Sequence, residues 1–128
     1  MSGSMPTVLV MEDEQLMREL LGMHLSHAGY RVLLAEDPVA AGHLVMKQRP
    51  DLILADIEMP FMDGVEFVQA LRADPSVAAI PVIFISSRTD LEDRCQQLGA
   101  VAFLAKPVLA DRLLAIVAQY VEGGRVPL

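Results

Sequence analysis

Four short apolar runs each stop on residues that can handle protons or phosphoryl groups. Val8-Leu-Val-Met11 stops on Glu12 and Asp13, Leu52-Ile-Leu-Ala55 on Asp56, Val82-Ile-Phe-Ile85 on Ser86, and Phe103-Leu-Ala105 on Lys106. If the runs are parallel strands of one sheet, these ends share the edge where open α/β sheets gather their chemistry. Three carboxylates, a hydroxyl and an ammonium then meet in one pocket. Carboxylates within ~5 Å repel by about 3 kcal/mol per pair at an effective dielectric near ~20, so they take up protons or hold a cation. Oxygen donors suit a small hard ion. Mg²⁺ commonly takes only one or two protein carboxylates and fills its shell with water and phosphate oxygens, and Mn²⁺ is the expected substitute. Asp56, central in such a sheet, can attack phosphorus to form an acyl phosphate, while Lys106 and the Ser86 hydroxyl stabilise the charge on the transferring group.

The bland reading of each residue is different. An aspartate after an apolar strand is ordinarily a helix cap or loop residue, and only its four companions lift Asp56 out of that class. Asp13 is also placed to cap a helix, and Asp63 reads as a turn or cap residue. His24 falls on an apolar helical stripe and reads as packed, with His27 and His43 facing solvent. Cys95 has no nearby cysteine or histidine to activate it and reads as a buried helix residue. Asp111 and Arg112 read as a solvated face.

The elements that must position these groups follow from the periodicity. Strands are expected at Thr7–Met11, Arg31–Ala35, Leu52–Asp56, Pro81–Ser86 and Val101–Ala105. A first helix is expected from about Glu14 to Ala28, with Met17, Leu20, Leu21, His24 and Ala28 on its buried stripe and Gly29 at its end. A second runs from Pro38, tolerated in a first turn, to Gln48, stopped by Pro50. A third starts after Asp63-Gly64 and stops at Asp74-Pro75, a fourth spans about Asp90 to Leu98 before Gly99, and a fifth runs from Leu109 to Val121 before Gly123-Gly124. Strand and helix alternating five times imply a doubly wound α/β fold: a five-stranded parallel sheet with right-handed crossovers and helices on both faces. By analogy with flavodoxin-like sheets, the expected strand order is 2-1-3-4-5.

The 128 residues suit one domain. Residues 1–4 read as a vector scar, 5–122 as the domain and 123–128 as a tail or the start of a linker. A net charge of −7 argues against direct contact with nucleic acid or anionic lipid. Charged residues or proline interrupt every apolar run well short of the ~20 residues that span a bilayer; strands buried on both faces explain the 53% hydrophobic content instead. A lone cysteine fits a reducing, cytoplasmic setting.

Val8-Leu-Val-Met-Glu-Asp13, Leu52-Ile-Leu-Ala-Asp56 with Met59-Pro60 and Asp63-Gly64, Pro81-Val-Ile-Phe-Ile-Ser86 and Phe103-Leu-Ala-Lys-Pro107 resemble the receiver domain of two-component response regulators, chemotaxis regulators among them. The resemblance runs from about residue 6 to 122. It implies that Asp56 accepts phosphate from the phosphohistidine of a sensor histidine kinase or a histidine phosphotransfer protein. It implies an acid pair of Glu12 and Asp13, with Asp13, Asp56 and the Glu58 main-chain carbonyl as metal ligands and Glu12 acting through water. Ser86 and Lys106 would bind the phosphoryl group, and Ser86 with Phe103 would form the switch to a surface made by the fourth helix, fifth strand and fifth helix. That surface would engage a downstream protein or effector domain, or a second copy of the chain. Glu58 and Arg88 fall on positions that modulate hydrolysis in the family, and their charges suggest a pair across the mouth of the site. The Lys106-Pro107 bond is expected to be cis. Such a domain catalyses its own phosphorylation and slow dephosphorylation and turns over no free metabolite.

Three positions depart from the common pattern: Glu12 stands for an aspartate, Ser86 for a threonine and Phe103 for a tyrosine. Acid and hydroxyl survive the first two changes, whereas the third leaves the readout to ring packing. Two rival classes share part of this residue set. A haloacid-dehalogenase-like phosphatase shares the Asp nucleophile, Mg²⁺, Ser and Lys but expects an aspartate where Glu58 stands. A receiver-like interaction module that takes no phosphate would not need the intact Asp13, Asp56, Ser86 and Lys106 set.

Overall fold

The computed structural model describes residues 5–58 and 64–121. Five strands, β1 (Thr7–Met11), β2 (Arg31–Ala35), β3 (Leu52–Asp56), β4 (Val82–Ser86) and β5 (Ala102–Ala105), alternate with α1 (Gln15–His27), α2 (Pro38–Gln48), α3 (Gly64–Arg72), α4 (Glu92–Gln97) and α5 (Ala110–Val121). The strands are parallel and lie in the order β2-β1-β3-β4-β5, the expected doubly wound arrangement.

Strand period decides which side chains go to which face. Leu9, Met11, Ile53, Ala55 and Phe84 join one core with residues of α2 and α3 and with Cys95 of α4. Val8, Val10, Leu52, Leu54, Ile83 and Ile85 join the other, with Leu21 and Leu25 of α1 and Leu113 and Val117 of α5. Every residue of β3 and β4 is buried, which is why those segments read as unbroken apolar runs rather than alternating ones. The edge strand β2, in contrast, exposes Arg31 and Leu34.

Local signals set most helix ends. Asp37 caps α2 by accepting a 2.8 Å hydrogen bond from the Ala40 N–H, with Pro38 in the first turn. Gly29 and Gly99 take left-handed φ values of 97° and 78° after α1 and α4. Elsewhere boundaries shift by a residue or two. Strand β4 begins at Val82 rather than Pro81, which has no N–H, although the Pro81 carbonyl still accepts from Ile53 N at 3.0 Å. Strand β5 begins at Ala102 rather than Val101, and α4 is preceded by a 3-10 turn over Thr89–Leu91. The buried stripe of α1 is rotated from the expected one: Leu20 is 40% exposed, while Gly22 and Leu25 are buried. Gly22 faces Leu34 of β2, so helix and strand approach closely there. Asp63 and the stop after Val121 lie outside the described residues, as do residues 1–4.

The Arg72 guanidinium, at the end of α3, donates to the carbonyls of Ala78 (2.8 Å) and Ile80 (2.9 Å) ahead of β4, and to those of Leu98 (3.3 Å) and Gly99 (3.4 Å) ahead of β5. At the opposite rim, Gly64 N donates to the Ile57 carbonyl at 3.0 Å. That brings the start of α3 hard against the end of β3.

Candidate functional site

Register places the reactive residues before any side chain is considered. Met11 pairs with Ala55, so Glu12 sits level with Asp56; Asp56 pairs with Ile85, and Ser86 with Ala105, so each neighbour lies one step further along the rim. Glu12 N donates to the Ala35 carbonyl and Lys106 N to the Ser86 carbonyl, at 3.0 and 2.9 Å, which carries the ladder past the last strand residues.

The side chains converge as expected. Glu12 and Asp56 are each 1% exposed and Ser86 is fully buried. Carboxylate oxygens of Glu12, Asp13 and Asp56 lie within 4.8 Å of one another. Lys106 Nζ stands 3.3 Å from Asp56 Oδ1 and 3.5 Å from Glu12 Oε1. Glu12 Oε2 accepts from Glu14 N at 3.1 Å, but Glu12 Oε1, buried, has no hydrogen bond. The Glu12 and Asp13 main chain is held from below by Arg18 Nη1, 2.9 Å and 3.4 Å from their carbonyl oxygens.

Burial dominates the protonation of this cluster. It pushes the Glu12 carboxyl up to about 7, reinforced by the negative charge of Asp56 and opposed by the Glu14 N–H and Lys106. Asp56 is also raised by burial, with Lys106 pulling the other way. Lys106 loses by desolvation but gains more from Asp56 and Glu12, so its ammonium is held above its ordinary value. One cation therefore serves two buried carboxylates. The Glu12 oxygen that lacks a hydrogen bond, Asp13 at the solvent edge and an all-oxygen donor set fit a hard divalent ion.

A family model described as the response regulator receiver domain matches residues 8–118. The chain belongs to that family. This receiver is 34% identical over 113 residues to the DNA-binding dual master transcriptional regulator RpaA of Synechocystis, and 32% identical over 111 residues to the phosphate regulon transcriptional regulatory protein PhoB of Pseudomonas aeruginosa. The alignments take in 87% and 85% of the chain but 47% and 48% of those proteins, so the receiver spans about half the length of these relatives. Among solved structures, chemotaxis protein CheY4 of Vibrio cholerae superposes with a TM-score of 0.87 at 30% identity, covering 91% of this chain and 99% of that one. The receiver domain of sensor histidine kinase PA1611 from Pseudomonas aeruginosa, solved with a magnesium ion in its active-site cleft, gives 0.83 at 29% identity, covering 92% and 98%.

Around the receiver's acid cluster, one expected pair is absent. Arg88 does not reach across to Glu58; it forms an exposed ion pair with Asp90, Nη2 to Oδ2 at 2.8 Å. The two residues are only two apart, and the short Asp90 side chain is already in the 3-10 turn that Arg88 precedes. Glu58 turns instead toward the end of β4, where it accepts hydrogen bonds from the hydroxyls of Ser86 and Ser87 and from Ser87 N. Sequence reasoning passed over Ser87, because a second serine after a strand end carries no distinguishing pattern.

Phe103 pairs in register with Phe84 and is half-buried against the core shared with α4. Beside it lies a cavity of about 220 Å³ lined by Glu92, Cys95, Gln96, Ala100, Val101, Ala102 and Phe103. Cys95 is buried as expected, and burial pushes its thiol up to about 11, far from a nucleophile's range. Lys106-Pro107 is cis. A larger apolar groove, about 840 Å³ between α2 and α3, shares no residue with the acid cluster. His24 is half-buried, and His27 and His43 are exposed.

Proposed function

We propose that this receiver accepts a phosphoryl group on Asp56 from the phosphohistidine of a sensor histidine kinase or a histidine phosphotransfer protein, and that the modification switches an interaction surface. The observation that carries the reading is Asp56 itself: a buried carboxylate with Lys106 Nζ at 3.3 Å and two further carboxylates within 4.8 Å. In the transfer, an Asp56 oxygen forms the O–P bond as the P–N bond of the donor breaks. The electron pair stays on the imidazole nitrogen, which takes a proton from solvent.

Each residue of the rim then has a task. Lys106 favours the ionised form of Asp56 against the pull of burial and pairs with the incoming phosphoryl oxygens. Ser86 offers its hydroxyl to one of them. Asp13, Asp56 and the Glu58 main-chain carbonyl would hold Mg²⁺ directly and Glu12 through water. Bound there, the ion neutralises charge on the transferring oxygens. Withdrawal of the Ser86 hydroxyl toward the phosphoryl group frees space on the side of Phe103, whose ring turns inward and changes the α4, β5 and α5 face. A downstream protein, an effector domain or a second copy of the chain reads that face. The domain acts on its own phosphoryl group and has no free metabolite as substrate. The phosphatase alternative loses support because Glu58, at the place of its acid–base residue, is engaged with Ser86 and Ser87.

Acetyl phosphate with Mg²⁺ is expected to add about 80 Da to the intact mass, the gain of one phosphoryl group. Asp56→Asn abolishes the shift; persistence of the shift in that variant moves the acceptor elsewhere. Metal titration sharpens the assignment: Asp13→Ala weakens Mg²⁺ binding more than Glu12→Ala, because only the first removes a direct ligand. Equal losses would overturn that division of the acid pair.

A further inference from the structure

The Ser86 hydroxyl has one hydrogen, and Glu58 holds it. Ser86 Oγ donates to Glu58 Oε2 and accepts from Arg88 N at 2.8 Å, so its single donor capacity is committed. Glu58 Oε1 takes two more donors, Ser87 Oγ at 3.2 Å and Ser87 N at 3.4 Å. Three donors at the end of β4 thus close around one carboxylate. The arrangement is an anion site, and a side chain of this chain is its occupant. Glu58 is tied to the acceptor as well: its own N–H lies 3.3 Å from Asp56 Oδ1. The carboxylate that fills the site and the carboxylate that would receive phosphate are therefore two residues apart on one stretch of backbone.

We infer that Glu58 is a latch: in the unphosphorylated chain its carboxylate occupies the Ser86 and Ser87 donors that a phosphoryl group on Asp56 must take over. The inference rests on the phosphoacceptor reading and deepens it. A phosphoryl oxygen and the Glu58 carboxylate are both anions competing for one hydroxyl hydrogen, so the two states exclude each other. Phosphoryl uptake then has to displace Glu58, and that displacement opposes it. Because Ser86 also belongs to the switch, the latch holds the resting arrangement of the output side at the same time. Glu58 acts through Ser86, which makes it a positioning residue.

Beryllofluoride with Mg²⁺, a mimic of the aspartyl phosphate, is the probe. Its apparent affinity is measured for the wild type, Glu58→Ala, Glu58→Gln, Ser86→Ala and the Glu58→Ala/Ser86→Ala pair. Glu58→Ala is expected to bind roughly three- to tenfold more tightly, the scale of one competing hydrogen bond. Glu58→Gln, which keeps an acceptor for the hydroxyl but loses the charge, falls between it and the wild type. In the Ser86→Ala background the gain shrinks, since only the Ser87 donors are left to contest. A change in the Ser87 amide resonance of Glu58→Ala before any probe is added gives an independent reading of the latch. The inference is overturned if Glu58→Ala binds no tighter, or gains equally with and without Ser86, which would mark a general charge effect. Failure of the wild type and every variant to bind the probe overturns the phosphoacceptor reading and the latch together.

Discussion

The two rims of the sheet hold charge in opposite ways. At the rim where the strands begin, one guanidinium, Arg72, is given four backbone carbonyls from the segments leading into β4 and β5. At the rim where they end, one ammonium faces two buried carboxylates, and Glu12 Oε1 is left without a hydrogen bond. Taking any charge out of water is costly, and the first rim offsets that cost with four acceptors for the five N–H donors. The second does not. An ion with four acceptors in place is a structural fastening, whereas an ion short of partners marks where something from outside belongs.

Removing the central group at each rim should expose this contrast. Arg72→Ala strips hydrogen bonds from four carbonyls and is expected to destabilise the domain by about 3 kcal/mol, read from urea unfolding. Asp56→Asn relieves repulsion within the acid cluster and is expected to leave stability unchanged or raise it by about 1 kcal/mol, although phosphorylation is lost. If Asp56→Asn costs as much as Arg72→Ala, the acid cluster is a fastening too and the contrast fails.

A smaller effect sharpens it. Glu12, raised by burial from 4.5 to about 7, binds its proton more tightly in the folded chain than in the unfolded one. Its contribution to stability is therefore complete below about pH 4.5 and is lost as pH rises toward about 7. The expected loss is roughly 2–3 kcal/mol, measured as the wild type minus Glu12→Gln difference across that window. Saturating Mg²⁺ competes with the proton and should flatten the difference. A difference that rises with pH in the metal-free protein would mean that Lys106 satisfies Glu12 after all.

The smallest effect is expected at Arg88. Its pair with Asp90 is exposed, so Arg88→Ala should leave the unfolding midpoint where it was. The decay rate of phosphorylated Asp56 should be equally unmoved by this change. A clear acceleration would restore Arg88 to the site that its side chain does not reach.

The acid cluster could be read in the sequence because strand ends are local signals and a parallel sheet aligns them by register. Glu12, Asp56, Ser86 and Lys106 each needed only the strand before it. The strand order was legible as well, from the alternation of elements and by analogy. Side-chain direction was not. Opposite charges on Glu58 and Arg88 suggested a pair, yet Asp90 lay closer to the arginine and two serines lay closer to the glutamate. Arg72 was invisible for a related reason: its acceptors are backbone carbonyls, 6 to 27 residues away, and carry no residue type to recognise. The stripe of α1 was misplaced because a glycine, Gly22, faces the sheet where periodicity favours a large apolar residue.

Position 64 is where the rim is least forgiving. A methyl group there would stand 2.5 Å from the Asp56 carbonyl oxygen and 3.1 Å from Ile57 Cα. Both are backbone atoms, so neither can rotate out of the way; the end of β3 would have to move. The smallest possible side chain, on a residue with no chemistry of its own, would re-aim the Asp56 carboxylate. Gly64 works like a machinist's gauge block, setting a spacing by what it leaves out, and a screen for loss-of-function substitutions would find it among the acids and the lysine although it donates nothing to phosphate.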